Sequence, residues 1–404
     1  MVILTQNKRR LAFWITFAIV LAASVAAIHI ITNSVGFDEE SFPISKSCSS
    51  FAAGKLASID GSVMAGHTLD GPYDFRLAKI PSQKYKPGDW VRIDYPGIEG
   101  GWKHTVRGET KIPQAPLTCA YFHSDCPIAN EYQIFFGENT CRTREELRIL
   151  SPEVAILDWT QVAKLALQRG KTAREAIKVA GALIERFGLE GEGESFLVAD
   201  PKEAWCFEIP GYTNEWVAQR IPVDHVCPHA NRMRIGEIDL NDPENYMASP
   251  NIIKTAQKKG FYDAAKDGVF HFAKVYNDDK NMKDMSNRRR EWRLLSLLCP
   301  SQKWDPEALI YPFSVKPDKK ISAQWWLDSV WRDQLEKTSF DLTKGIAAGP
   351  FGCPGRPLLS DMKFERTICI GEMTYSWVSQ SRDWLPDSIG GVFWFGMDTP
   401  RSNC

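Results

Sequence analysis

Two short apolar runs, residues 49–57 and 63–68, flank the stretch Ile59-Asp60-Gly61-Ser62. An Asp-Gly pair between two strand-like runs is a hairpin signal, because glycine accepts the positive φ that a tight reversal demands. The first arm is headed by Cys48, and the second runs into the polar stretch His67-Thr68-Leu69-Asp70. A cysteine at the head of a strand restricts the fold. The strand opens at the border of a core, and the thiol faces either that core or a pocket.

The residues ahead of Cys48 differ in kind from those after it. Asn7-Lys8-Arg9-Arg10 is basic, and residues 11–31, from Leu11 to Ile31, are apolar apart from Thr16, Ser24 and His29. A basic flank followed by such a run reads as a signal peptide or a signal anchor. Its length is about that which spans a bilayer, roughly 20 residues. Small residues between Ala22 and Ala27 also permit cleavage there. The charge order predicts that the rest of the chain is lumenal or extracellular, secreted or held to a membrane through Leu11–Ile31. Residues 32–47 are polar, with Gly36 and Pro43, and read as a linker or propeptide. Residues 48–404 then form one domain.

Composition excludes some functions. With 44% apolar and 25% charged residues the chain is globular, and a net charge of −1 gives no basic excess for nucleic acid. Ten cysteines fit an oxidising compartment loosely. Cys119, Cys126 and Cys141 are close enough in sequence for a disulfide. If Cys48 is a free nucleophile, nine cysteines remain, and at least one of those has no partner within the chain. No Cys-x-x-Cys pair occurs, so no zinc site is expected. Gly191-Glu-Gly-Glu-Ser195 lacks the spacing and lysine of a phosphate loop, so no nucleotide cofactor is expected either.

Further along, residues 129–138 look like a strand entry. Residues 157–168 and 173–187 carry helical periodicity, and Thr172-Ala-Arg-Glu175 is a capping box before the second helix, which Gly188 stops. Residues 195–199 and 204–208 read as strands joined at Asp200-Pro201, and the β pattern continues through 215–221 and 224–230. Residues 250–300 are mostly helical. Their basic stretch, Arg288 to Arg293, reads as a solvated helix face, with an anion site as the alternative. Residues 390–396 read as a late buried strand. Strands, then helices, then strands again predict a layered α+β fold.

The chemistry centres on Cys48. A thiolate is a strong nucleophile but needs a base to form. One available base is the cysteine's own α-amino group, freed when the preceding peptide bond is cut, with an ordinary pKa near 7.7–8.0. Cys48 follows a removable segment and opens a strand, as that arrangement requires. His225 and His229 read as structural, the tryptophans (including Trp325-Trp326) as core, and Asn130 as either a turn residue or an amide donor.

The segment Cys48-Ser-Ser-Phe-Ala-Ala-Gly-Lys-Leu-Ala-Ser-Ile-Asp-Gly-Ser-Val-Met-Ala65 resembles the start of the mature cysteine dipeptidases of the N-terminal-nucleophile (Ntn) hydrolase superfamily, the group that includes the secernins. Further blocks follow in the family's order: Ala129-Asn-Glu131, Lys171-Thr-Ala-Arg-Glu-Ala176, Gly193-Glu-Ser-Phe-Leu-Val-Ala-Asp-Pro201, Ala230-Asn-Arg-Met-Arg-Ile235, Tyr311-Pro-Phe-Ser-Val-Lys-Pro-Asp318 and Tyr375-Ser-Trp-Val-Ser-Gln-Ser-Arg382. The resemblance runs from about residue 47 to the end. It implies a four-layer αββα sandwich and metal-free hydrolysis of dipeptides by Cys48, exposed by cleavage after Ser47. Relatives place Arg-x-x-Asp after the first hairpin. Here Asp70 is kept and would orient the amine or thiol, while His67 stands where the arginine is expected. Asn231 and, more weakly, Asn139 match positions that supply oxyanion donors. Relatives continue for roughly a hundred residues, a domain-scale length, past the place of Trp394-Phe-Gly396, so the resemblance implies a C-terminal truncation. Two other readings share the resemblance: a non-catalytic, secernin-like regulator of exocytosis, favoured by His67, and another amide hydrolase of the same superfamily.

Overall fold

The computed structural model describes residues 48–71, 73–91, 112–151, 154–349 and 365–401. The apolar run 11–31, the segment 32–47 and the bond after Ser47 lie outside them, as do Cys353 and Cys404. Among the described residues no helix is long and apolar enough to cross a membrane.

The hairpin after Cys48 forms as expected and seeds a sheet. Ser49–Ala53 (β1) pairs antiparallel with Val63–Asp70 (β2), setting Ser50 opposite His67 and Phe51 opposite Gly66. The first arm is shorter than residues 49–57. The chain leaves it at Gly54, where a Cβ would sit 2.4 Å from the carbonyl oxygen of Val223, so only glycine passes. Gly61 at φ 83° and the Asp60 carboxylate, which accepts from the Ser62 amide at 3.1 Å, complete the reversal.

The other strands are Ala78–Ile80 (β3), Gln83–Lys84 (β4), Leu117–Thr118 (β5), Tyr121–His123 (β6), Pro127–Asn130 (β7), Phe135–Thr140 (β8), Gly193–Ala199 (β9), Ala204–Pro210 (β10), Val217–Ile221 (β11), Val226–His229 (β12), Tyr246–Ala248 (β13), Met373–Ser381 (β14) and Val392–Met397 (β15). One sheet has the order β12-β1-β2-β14-β15, and a larger one β13-β11-β10-β9-β8-β7-β6-β3; β4 and β5 form a separate pair. Among the described residues the three long helices are Trp159–Arg169 (α1), Ala173–Phe187 (α2) and Met285–Leu298 (α3). The fold is α+β.

Every residue of β1, β2, β9 and β10 is buried, so both faces of these strands are covered. Ala52, Val63 and Ala65 share a core with Leu197 and Cys206, which places β1 and β2 against β9 and β10. On the opposite face Phe51 and Met64 pack with Leu294, Leu295, Trp326 and Trp331. Phe196, Val198, Trp205 and Phe207 of the larger sheet pack with Val162, Leu165, Ile177 and Ile184 of α1 and α2. The tryptophans at 205, 326, 331 and 377 are core, as expected, whereas Trp325 is only partly buried and Trp90, Trp384 and Trp394 are exposed.

Local signals place the helices accurately. Asp158 caps α1 by accepting from the Gln161 amide at 2.7 Å, and Thr172 caps α2 from Glu175 at 3.1 Å. The return arm of the capping box lands one residue early, since Glu175 accepts from the Lys171 amide at 3.0 Å.

Three expectations are corrected. The strand near residue 390 starts at Val392 and is the half-exposed edge of its sheet rather than a buried strand. The eight described cysteines, Cys119, Cys126 and Cys141 among them, are free thiols buried as small apolar side chains. The basic stretch is not a solvated face, because Arg288, Arg289, Arg290 and Glu291 are all buried within α3. Charged groups survive there because each is matched. Arg288 donates to the Ala308 carbonyl at 2.9 Å, and Glu291 receives Arg232 Nε at 2.8 Å and lies 2.7 Å from Arg234 Nη1.

Burial works to raise the Glu291 carboxyl, but Arg232 and Arg234 outweigh it and hold it at about 2. A carboxyl held below its unfolded value stabilises the fold above that value and loses the contribution as pH falls. Glu291→Gln is therefore expected to destabilise the protein at pH 7 by about 3–5 kcal/mol, the range for breaking a buried ion pair. It should also flatten the loss of stability between about pH 4.5 and 2, read by urea denaturation at each pH. An unchanged pH slope would contradict this account of the pair.

Candidate active site

Cys48 sits at the start of β1, 2% exposed. Its Sγ donates to Glu138 Oε1 at 3.0 Å, from β8 of the larger sheet. His67 Nε2, from β2, lies 3.7 Å from the same carboxylate oxygen. The carbonyl of Cys48 accepts from Arg290 Nη1, which also donates to Ser49 Oγ at 3.1 Å. Three separate parts of the chain thus meet at the first residues of one strand.

The two asparagines reach the same place from different directions. Asn139 follows Glu138 on β8 and accepts from Ser50 Oγ through Oδ1. Asn231 lies just past β12 and accepts from Arg290 Nη2 at 2.8 Å through Oδ1. Arginine has donors only, so this contact fixes which end of the Asn231 amide points away. The Nδ2 groups of both asparagines are buried and make no hydrogen bond among the described residues.

Asp70 closes the end of β2 and is ion-paired with Arg366, which precedes β14. The resemblance leads one to expect an arginine at position 67, near the nucleophile. Here His67 occupies that position and the guanidinium comes from Arg366. Burial pushes the Asp70 carboxyl up to about 7, against the pull of Arg366 and Arg290. Burial likewise pushes the Cys48 thiol well above the ordinary range, and the charges of Glu138 and Asp70 add to this, while a hydrogen bond from the Asp70 backbone works the other way. Cys48 is therefore held here as a thiol.

All five residues singled out in the sequence, Cys48, His67, Asp70, Asn139 and Asn231, contact residues 48–50 or groups bound to them. Glu138, Arg290 and Arg366 were missed. Side chains alternate along a strand, so only one of Glu138 and Asn139 is expected to face β1; both reach it. Arg290 was concealed within a stretch that composition assigns to solvent, and Arg366 carries no local signal. Asn130 is a turn residue, accepting from the Tyr132 amide at 3.0 Å and donating to the Leu167 carbonyl at 2.8 Å. His229 is structural, as expected, and its Nε2 lies 2.8 Å from Ser195 Oγ and 3.2 Å from Glu208 Oε1.

A thiol, a neighbouring carboxylate and side-chain amides with spare N–H groups are the equipment of acyl transfer through sulfur. Comparison with known proteins gives the same class. The family model for peptidase family C69 matches residues 47–404. A probable dipeptidase of Latilactobacillus sakei is 27% identical over 363 residues, covering 87% of this chain and 72% of the relative. A probable dipeptidase of Salmonella dublin is 31% identical over 366 residues, covering 87% and 78%. Probable dipeptidase B of Streptococcus pyogenes serotype M1 is 25% identical over 368 residues, covering 89% and 71%. The chain belongs to peptidase family C69.

The Glu138 charge acts on Cys48 through a 3.0 Å contact. Glu138→Gln is expected to lower the thiol pKa, shifting the pH profile of Cys48 alkylation, followed by peptide mass spectrometry, to lower pH. A profile unmoved or moved upward would show that the carboxylate does not govern the thiol.

Proposed function

We propose that this protein is a cysteine-type dipeptidase whose nucleophile is Cys48, made N-terminal by removal of residues 1–47. The observation that carries the reading is the convergence on Cys48: a thiol held at the head of β1, with two buried asparagine amides whose Nδ2 groups lack partners. The names of the relatives support a dipeptide as substrate. Three separate cores, one between the sheets and one outside each, support the four-layer αββα arrangement and a domain running from residue 48. The basic flank and apolar run of residues 7–31 support entry into the secretory pathway, with the domain lumenal, secreted or membrane-anchored.

The route follows from the site. Extending the β1–β2 register sets Cys48 opposite Leu69 and beside Asp70. A new amine there gains a carboxylate neighbour, and its positive form favours the thiolate against the burial that opposes it. The amine takes the thiol proton, and sulfur attacks the peptide carbonyl. The oxyanion is met by Asn139 Nδ2 and Asn231 Nδ2. The proton then passes to the leaving amine, and water cleaves the thioester. Asp70 orients the amine, and Arg366 holds Asp70. His67 stands beside the thiol without the permanent charge of an arginine.

The test is dipeptide hydrolysis by the processed protein. Cys48→Ala should abolish it. Asn231→Ala and Asn139→Ala should each lower kcat by about 10²–10³, the cost of an oxyanion donor. Full hydrolysis in Cys48→Ala would end this reading. Hydrolysis of other amides with dipeptides untouched would move it to a different amide hydrolase.

A further inference from the structure

The imidazole of His67 is fully buried, yet neither ring nitrogen makes a hydrogen bond among the described residues. Glu138 Oε2, next to it, is buried without a hydrogen bond as well. A buried imidazole is ordinarily satisfied through at least one nitrogen, because an unmade bond costs about 1–3 kcal/mol. The nitrogen Nε2 points instead at the oxygen that already holds the thiol of Cys48. One ligand atom from each of Cys48, His67 and Glu138 lies within 4.8 Å of the other two.

We infer that Cys48 Sγ, His67 Nε2 and Glu138 Oε1 form a binding site for a zinc-class divalent cation that blocks the nucleophile. The spacing fits. Tetrahedral zinc with bonds of about 2.3 Å to sulfur and 2.0–2.2 Å to nitrogen and oxygen has ligand–ligand edges of about 3.4–3.6 Å. The observed Sγ–Oε1 and Nε2–Oε1 separations are 3.0 and 3.7 Å. Small side-chain rotations close the difference. Thiolate, imidazole and carboxylate together are a set that selects zinc over magnesium or calcium. Charge fits as well, because the thiolate and carboxylate among the ligands match the charge of a divalent ion, and the buried carboxyls of Glu194 and Asp70 nearby also favour a cation there. Tyr375 and Trp377, edge-on to the His67 ring at centroid distances of 6.0 and 6.1 Å, wall the imidazole off.

The binding step balances simply. The Cys48 thiol loses its proton to solvent, a sulfur–metal bond forms, and the neutral imidazole and the carboxylate donate lone pairs. No oxidant or reductant takes part. An arginine at position 67, which the resemblance leads one to expect, has no lone pair to give. The site is therefore a consequence of His67 in this chain. Metal binding stands on geometry alone, whereas its inhibitory effect rests on Cys48 being the nucleophile.

The experiment is titration of the reduced, full-length protein with Co²⁺ as a spectroscopic probe, followed by Zn²⁺ competition. The expected result is a near-ultraviolet thiolate-to-cobalt band at one equivalent, displaced by Zn²⁺, with one proton released per ion. Cys48→Ser should remove the band. His67→Gln and Glu138→Gln should each weaken binding by more than about tenfold, the smaller effect expected even of an outer partner. Circular dichroism and Tm establish that each variant is folded, and either of the two suffices. Cys206→Ser should keep the band, since Cys206, Glu208 and His229 form the other such cluster among the described residues. A band that survives Cys48→Ser, or no band at all, overturns the proposal. Dipeptide assays of the processed protein, beginning at Cys48, with Zn²⁺ and then chelator read the inhibition separately. A Cys48-dependent band together with no dipeptide hydrolysis by the processed protein would refute the functional reading and leave the metal site standing. Hydrolysis indifferent to Zn²⁺, with no band, would do the reverse.

Discussion

The guanidinium of Arg290 ties the site together. It is fully buried in α3 and has five N–H donors, and the fold supplies five acceptors. These are the Ser286 carbonyl, the Cys48 carbonyl, Ser49 Oγ, Asn231 Oδ1 and Asn287 Oδ1. Through them one side chain joins the head of β1, the turn after β12 and helix α3. All five acceptors are uncharged. Burial lowers the group's pKa to about 9, with nearby Arg366 adding to the effect and Asp70 and Cys48 opposing it. The cost of burying this cation is met by complete hydrogen bonding, which also fixes its geometry.

That geometry sets what the neighbouring groups can do. Arg290 turns the oxygen of Asn231 inward, so its amide nitrogen faces away. Ser50 holds the oxygen of Asn139 in the same sense. The thiol of Cys48 donates to a carboxylate, with the His67 imidazole beside it, and burial keeps it protonated. On the proposed reading this is a site held silent by its own electrostatics. A single covalent event, the appearance of an amine on Cys48, adds a positive charge beside the thiol. The imidazole of His67 adds a second way to silence it, by offering sulfur, nitrogen and oxygen together to a metal.

Much of this was legible in the sequence, and the remainder was hidden for identifiable reasons. The hairpin at Asp60-Gly61, the capped helix beginning at Ala173 and the positions of Cys48, Asp70 and Asn231 follow from turn chemistry, capping and the order of family blocks. Those signals are local or act through residue type. Arg290 escaped because a run of arginines ordinarily faces water, and only the tertiary packing of α3 under β12 shows otherwise. Glu138 escaped because alternation admits one of two neighbours, and the structure uses both. Arg366 lies 296 residues from Asp70 in sequence, and nothing near it in the chain points to that partner. The cysteines were misjudged as possible bridges because spacing carries no information on where thiols point.

The claim on which the account rests is that Cys48 works as a free N-terminal residue. The most direct measurement is the intact mass of active protein from its native host, combined with mass spectrometry of the acylated intermediate trapped from a dipeptide ester. The account predicts a chain that begins at Cys48 and carries the acyl group on that same residue. A fully active chain that begins upstream of Cys48, or an acyl group on any other side chain, would contradict it.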